Sequence, residues 1–87
     1  MSAEELTAKY ISAMEKAVNN MQRTKGPITI TETCVDEIVG YVTAYLKDAK
    51  YFRDQQKFET SLTSIAYCEG LLDALKLIGA VKITTPL

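Results

Sequence analysis

The stretch from Val35 to Gly79 decides the fold, and it reads VDEIVGYVTAYLKDAKYFRDQQKFETSLTSIAYCEGLLDALKLIG. Its first half carries apolar residues at steps of three and four: Val35, Ile38, Val39, Val42, Tyr45, Leu46, Ala49 and Phe52. At roughly 100° per residue these side chains share one stripe of an α-helix. Its second half repeats the spacing with Phe58, Leu62, Ile65, Ala66, Leu72 and Leu75. The polar run between the two halves, from Arg53 to Lys57, completes the pattern of a helical hairpin.

The hairpin has a predicted register. Helices joined by a short connection are usually antiparallel neighbours. If the turn centres near Gln55, facing positions have residue numbers that add up to about 110. This register places apolar residues opposite apolar residues: Phe52 and Phe58, Tyr45 and Ile65, Val42 and Cys68, Ile38 and Leu72. The hairpin prediction depends mainly on that agreement.

A further helix precedes the hairpin. Ser2 and Glu5 match a capping box, and the apolar stripe that follows is thin and rich in Ala and Met: Leu6, Tyr10, Ala13, Met14, Ala17, Val18 and Met21. We expect it to be the least firmly docked helix. Thr31 or Thr33 can cap the next helix, and Gly79 suits the left-handed position after the last one. The sequence predicts a single all-α domain over residues 1–87, a three-helix bundle with helices near 3–22, 32–53 and 57–78.

Two short segments are expected to be extended. Residues 28–31 and 81–84 are rich in β-branched side chains and alternate in polarity. They could pair as a small sheet across one end of the bundle, although isolated two-stranded pairs are marginal. Alternatively, each segment lays its apolar residues over an end of the core.

Composition excludes several classes of protein. A chain of 87 residues buries roughly 60 to 65% of its unfolded surface, so its stability margin is thin without a partner. The net charge is −1, and the charges are spread along the chain, so no nucleic-acid partner is expected. No apolar run approaches the roughly 20 residues that span a bilayer, and no signal peptide is recognisable. We therefore expect a cytoplasmic protein without a membrane partner.

The two cysteines are not expected to form a disulfide. The register sets Cys68 opposite Val42, about eight residues, or ~12 Å of helix, from Cys34. A disulfide needs Cα atoms within about 7 Å of each other. We expect two buried thiols that act as small apolar side chains.

The sequence specifies no reaction. It contains no histidine, which removes the commonest general base and metal ligand and every Ser-His or Cys-His nucleophile. The four glycines are isolated, so no phosphate-binding loop is present. We predict no catalytic residue, no metal ligand and no cofactor.

Glu69 is the unusual carboxylate, because it falls inside the apolar stripe of the last helix, with Asp73 one turn later. The register brings Tyr41 and Tyr45 near it, and together these residues could form a polar pocket for a cation or an amine. The favoured alternative is structural: a hydrogen-bonded residue that fixes the register, or a rim carboxylate paired with Lys76 or a lysine of the first helix. The facing helix lacks the second carboxylate pair of a di-metal bundle.

A second candidate surface lies on the back of the middle helix. Gly40, Ala44 and Tyr51 form a strip of low relief there, against which a partner helix could pack closely. The favoured alternative is that Gly40 makes room for the first helix or for the segment 28–31.

The runs YLKDAKYF, from Tyr45 to Phe52, and SIAYCEGLLDA, from Ser64 to Ala74, resemble a family of small archaeal proteins classed as a domain of unknown function. The resemblance covers residues 35–83 well and the first helix loosely. It implies a three-helix bundle without an assigned activity, and it places Glu69, Gly70 and Asp73 in the shared pattern. Cys68 stands where alanine is usual, which argues against a general role for its thiol. A looser similarity to tetratricopeptide-type hairpins lacks the repeat.

The sequence leaves two functions to compare. The preferred one is a non-enzymatic interaction module that self-associates or docks a partner helix, since a thin core gains from further burial. The alternative is a protein that binds a small ligand or a metal through Glu69, Asp73, Tyr41 and Tyr45.

Overall fold

The computed structural model describes residues 1–85, which form three α-helices and no strand. They are α1 (Ala3–Asn19), α2 (Glu32–Asp54) and α3 (Phe58–Leu77). The predicted all-α fold of three helices is confirmed. α1 ends earlier than expected because the side-chain amide of Asn20 donates to the Lys16 carbonyl oxygen at 2.7 Å and closes the last turn. No helix in the described part of the chain is long and apolar enough to cross a bilayer.

α2 and α3 form the antiparallel hairpin in the predicted register. The Ser61 hydroxyl donates to the Ala49 carbonyl oxygen at 2.7 Å, and the Cys68 thiol donates to the Val42 carbonyl oxygen at 3.3 Å. Both pairs are opposite each other in the register that centres the turn near Gln55. The cross-helix contacts therefore confirm the pairing inferred from the apolar stripes.

The hairpin turn closes α2 with a left-handed residue that is not glycine. Gln56 has a φ of 59°, and its N–H donates to the Arg53 carbonyl oxygen at 2.9 Å. The Lys57 N–H donates to the Phe52 carbonyl oxygen at 2.8 Å. These two bonds make a Schellman motif, which satisfies carbonyls that the end of a helix leaves free.

The other helix ends follow the predicted chemistry. Gly79, with a φ of 75°, terminates α3 in a second Schellman motif, in which the Ala80 N–H donates to the Leu75 carbonyl oxygen at 2.9 Å. At the start of α1, the Ser2 hydroxyl oxygen accepts from the Glu5 N–H at 3.1 Å. At the start of α2, it is Thr31 rather than Thr33 that caps the helix.

The core of the described chain is small. Its buried apolar residues are Ala49, Cys68 and Leu75, and hydrogen bonds between α2 and α3 involve the first two. The radius of gyration is 15.9 Å, against about 12 Å for a compact domain of this length. The helices are therefore arranged more openly than in a closed bundle.

α1 lies apart from the hairpin, which accounts for much of that openness. No Cα atom of α1 comes within 8 Å of a Cα atom of α2 or α3. Near its N-terminus, Leu6, Tyr10 and Ile11 share a cavity of about 740 Å³ with the polar residues Glu59, Thr60 and Thr63 of α3. Apolar α1 side chains thus face a polar part of α3, which offers them little burial.

The two extended segments do not pair, since the described residues contain no strand. Val81 and Ile83 are half-buried, so the tail lays these apolar side chains against the protein. Ile28 and Ile30 remain 65% and 48% exposed, so the earlier segment does not.

The cysteines are free, and they differ in exposure. Cys68 is buried as expected, but Cys34 is exposed, so the expectation of two buried thiols is wrong for Cys34. Cys34 lies in the first turn of α2, outside the apolar stripe that begins at Val35.

Candidate functional site

A shallow groove runs along one side of the hairpin. One part, about 310 Å³ in volume, is lined by Val42, Leu46, Ile65, Cys68, Glu69 and Leu72. A second part, about 190 Å³ in volume, is lined by Leu46, Ala49, Lys50, Arg53, Ser61 and Ile65. Leu46 and Ile65 line both parts, so the two parts are continuous. We call this side of the hairpin the groove face.

The groove face exposes large apolar side chains. Leu46 and Ile65, at its centre, are 39% and 36% exposed. Phe58 and Leu62 extend the same side of α3, because they precede Ile65 and Glu69 by two helical turns, and they are 60% and 68% exposed. Large apolar side chains exposed together on one side of a protein mark interaction sites.

The charges of the groove face are separated along its length. Lys50 and Arg53 lie on the side of Leu46 that leads to the hairpin turn. Glu69 lies at the opposite end of the groove, toward the C-terminus of α3. The Arg53 guanidinium contacts Asp54 at 3.2 Å, but both side chains are more than half exposed, so this pair holds Arg53 only weakly. The groove therefore has a basic end and an acidic end.

Glu69 is an exposed residue of the groove rim, and Asp73 is exposed one turn beyond it. Within residues 1–85, no tyrosine donates a hydrogen bond to Glu69, and the one ion pair joins Arg53 to Asp54. The predicted pairing of Glu69 with Lys76 or with a lysine of α1 is therefore not formed. The sequence suggested that Glu69 is buried, which would cost free energy of desolvation. Because the carboxylate is exposed to water, that cost does not arise.

The tyrosines lie on the other side of the hairpin. The rings of Tyr45 and Tyr67 are 4.4 Å apart between centroids, with their planes tilted by 43°. Tyr45 and Leu46 are about 100° apart on α2 and flank the line that faces α3 from opposite sides. The structure thus places Glu69 on the groove face and the ring of Tyr45 on the opposite one.

Tyr41 belongs to the same tyrosine cluster. Its hydroxyl donates to Glu37 Oε1 at 3.3 Å. The negative charge of Glu37 and this hydrogen bond raise the pKa of the Tyr41 hydroxyl, with smaller effects from burial, Tyr67 and Tyr45. The structure therefore gives Tyr41 a carboxylate partner, but that partner is Glu37 rather than Glu69.

The strip on the back of α2 is exposed. Gly40, Ala44 and Tyr51 are all accessible, and a Cβ atom built on Gly40 would meet nothing within 4 Å. The interpretation that Gly40 makes room for α1 or for the segment 28–31 is therefore wrong. The other interpretation, a surface for a partner helix, remains a prediction.

Sequence reasoning missed three residues that define these faces. Lys50 and Arg53 line the groove, although neither was among the predicted site residues. Tyr67 is 52% exposed on α3, yet its ring lies against that of Tyr45. The register itself contained this signal, because it places Tyr67 within one turn of the position opposite Tyr45.

The metal-binding alternative has no cluster of ligands in the described part of the chain. Residues 1–85 contain no group of three or more His, Cys, Asp or Glu side chains placed to hold an ion. The proximity of Tyr41 and Glu37 is a pairwise contact, which by itself does not define a ligand site.

Comparison with known proteins identifies the family and adds no chemistry. No curated protein and no solved structure matches the chain. A family model described as "Protein of unknown function (DUF357)" matches residues 9–81, which include most of α1 and the whole hairpin. The resemblance to a domain of unknown function is confirmed, and the chain belongs to this DUF357 family.

Proposed function

We propose that this chain is a non-enzymatic interaction module that docks an amphipathic helical surface on its groove face. The observation that carries the proposal is the exposure of large apolar side chains on both helices of the hairpin. On the groove face, Phe58 and Leu62 are 60% and 68% exposed, while Leu46 and Ile65 at the centre are 39% and 36% exposed. Burying such residues against a partner is strongly favourable.

The total surface area supports the same proposal. The chain exposes 7796 Å², whereas a compact monomer of 9.7 kDa is expected to expose about 5,100 Å². The excess of about 2,700 Å² is larger than the roughly 800 Å² that each partner buries in a standard interface. Part of this excess comes from the separation of α1, and the groove face supplies another part.

The shape of the groove indicates the class of partner. Two antiparallel helices form a groove into which the apolar face of a further helix fits, with anchors at steps of three, four and seven residues. The charges of Lys50, Arg53 and Glu69 at the ends of the groove would then set the orientation of the docked helix. The lack of histidine in the chain supports a binding role over a catalytic one.

The experiment is a methyl NMR titration of the full chain with a synthetic amphipathic helical peptide whose leucines recur at heptad spacing. We expect shifts of the methyl signals of Leu46, Ile65 and Leu72. Leu77 is the internal control, since it is 88% exposed and does not line the groove. Equal shifts at Leu77 and in the groove, or no shift in the groove at any concentration, would contradict the proposal.

A further inference from the structure

We propose that the partner on the groove face is a second copy of this chain. The two hairpins would face each other in roughly antiparallel directions, related by a twofold axis that crosses the groove near Leu46 and Ile65. This inference rests on the proposed docking function and names its occupant.

The inference is based on the distribution of charge along the groove. Lys50 and Arg53 follow Leu46 by one and two turns, about 6 and 10 Å toward the hairpin turn. Glu69 follows Ile65 by one turn, about 6 Å in the opposite direction. The basic and acidic groups are thus at similar distances on either side of one centre.

A twofold axis at that centre brings unlike charges together. An isologous contact repeats every pairing twice, so the basic end of each copy meets the acidic end of the other at two places. Because the basic groups are on α2 and Glu69 is on α3, the hairpins must cross at an angle, and roughly 50° is the commonest angle for packed helices. In a parallel dimer, the two basic ends would be adjacent and would repel each other.

The available surface is sufficient for such a dimer. The exposed area exceeds that of a compact monomer by more than one standard interface requires. The exposed apolar side chains of Leu46 and Ile65 would form the centre of the contact, and the charges would lie at its rim. This division between an apolar centre and a polar rim is typical of stable interfaces.

Charge reversal tests the arrangement by sedimentation velocity of the full chain from micromolar to near-millimolar concentration. We expect a monomer–dimer equilibrium. Lys50→Glu and Glu69→Lys should each raise the dimer dissociation constant about tenfold, since each affects two symmetric contacts. An equimolar mixture of the two variants should recover the affinity, because the mixed dimer pairs the new carboxylate at position 50 with the new ammonium at position 69, and Glu69 of the first variant with Lys50 of the second.

Lys47→Glu is the matched control, because it makes the same change in charge on α2 at a residue that does not line the groove. Its dissociation constant should equal that of the wild type. Equal weakening by Lys47→Glu, or a mixture no stronger than its two components, would overturn the inference.

Spin labels on the exposed thiol of Cys34 can measure the relative orientation of the two copies. Cys34 lies 12 residues before Leu46 on α2, about 18 Å from the proposed axis. Spin labels on the two copies should therefore be about 30 Å or more apart in the antiparallel dimer. A distance below about 20 Å would show a parallel dimer and overturn the inference.

The outcomes also separate this inference from the proposed function. A chain that stays monomeric at every concentration, yet binds the amphipathic peptide in the groove, would overturn the second copy as occupant and keep the docking function. A monomer that also fails to bind the peptide would overturn both.

Discussion

The Cys68 thiol donates a hydrogen bond to the main-chain carbonyl oxygen of Val42 across the hairpin, at 3.3 Å. The Ser61 hydroxyl makes the corresponding bond to Ala49 two turns away. Both donors are small side chains that reach the backbone of α2, so small residues occupy the line along which the two helices touch. This contact explains why the larger apolar side chains, such as Leu46 and Ile65, stay at its edges and remain exposed.

Ser61→Ala tests the contribution of the shorter of these bonds. The variant loses a half-buried hydrogen bond of 2.7 Å, and a net loss of about 1 kcal/mol of unfolding free energy is expected. Ser64→Ala is the matched control, since Ser64 is half-buried in the same helix and makes no side-chain hydrogen bond within residues 1–85. Urea unfolding gives the free energy of unfolding of each variant. The gain in helix propensity from Ser to Ala is common to both, so it drops out of the difference between them. Equal free energies would show that the Ser61 bond contributes nothing.

Leu75→Ala should be the most damaging truncation in α3. Leu75 is 1% exposed, and removing a buried leucine side chain typically costs about 2 to 5 kcal/mol. We expect a value toward the lower end, because the core is small and has room to collapse. Leu77→Ala makes the same change at a side chain that is 88% exposed and should alter stability by less than about 0.5 kcal/mol. Similar costs in thermal unfolding would mean that Leu77 is covered in solution.

The sequence predicted the hairpin and its register because apolar periodicity and short turns act locally. The same reasoning identified the caps at Ser2 and Gly79, where residue type nearly determines conformation. The position of α1 could not be predicted, since its stripe shows that it is amphipathic but not which surface it faces. The shorter α1 depends on one side-chain bond of Asn20, which competes with continuation of the helix.

The candidate site was predicted less well than the fold. A helical wheel placed Glu69 within the apolar stripe, but the wheel gives an angle and not the distance to the neighbouring helix. In the structure, the helices touch along Ala49, Ser61 and Cys68, which leaves Glu69 on the rim. The tyrosines were expected beside Glu69 because the register gives the position of each residue along the helix axis. It does not give the face of the hairpin on which the side chain lies.

Gln56→Gly should stabilise the hairpin turn. Gln56 has a φ of 59°, and the left-handed conformation costs a residue with a side chain roughly 1 kcal/mol more than it costs glycine. We expect a gain of about 0.5 to 1 kcal/mol in chemical denaturation. Gln55→Gly is the control, because Gln55 has a φ of −84° and glycine there adds only unfolded-state entropy. A Gln56→Gly variant that is no more stable than wild type would mean that the turn is not strained.

Thiol labelling should distinguish the two cysteines. Cys34 is exposed and Cys68 is buried, so one thiol should react quickly with a chromogenic disulfide under native conditions. The second should react only as the protein unfolds, at a rate that rises with denaturant. The Cys34→Ser variant should retain only the slow phase. Two fast thiols in the wild type would show that the contact between Cys68 and Val42 opens readily.

The contact between Tyr41 and Glu37 should be visible in the titration of Tyr41. The Glu37 charge, and the hydrogen bond that its carboxylate accepts, raise the pKa of Tyr41 above the usual tyrosine value of about 10. The native state thus holds this proton more tightly than the unfolded state does. The resulting stability is complete below the unfolded-state pKa and is lost as the pH rises through the native pKa.

Replacing Glu37 by glutamine removes that charge and keeps the side-chain shape. In an NMR titration of the Tyr41 ring, Glu37→Gln should therefore lower the pKa of Tyr41. Glu32→Gln is the matched control, since Glu32 is also a carboxylate of α2 but does not contribute to the raised pKa of Tyr41. If both variants leave the pKa of Tyr41 unchanged, the hydroxyl is not held against Glu37 in solution. If both lower it equally, the effect comes from the net charge of α2 rather than from this contact.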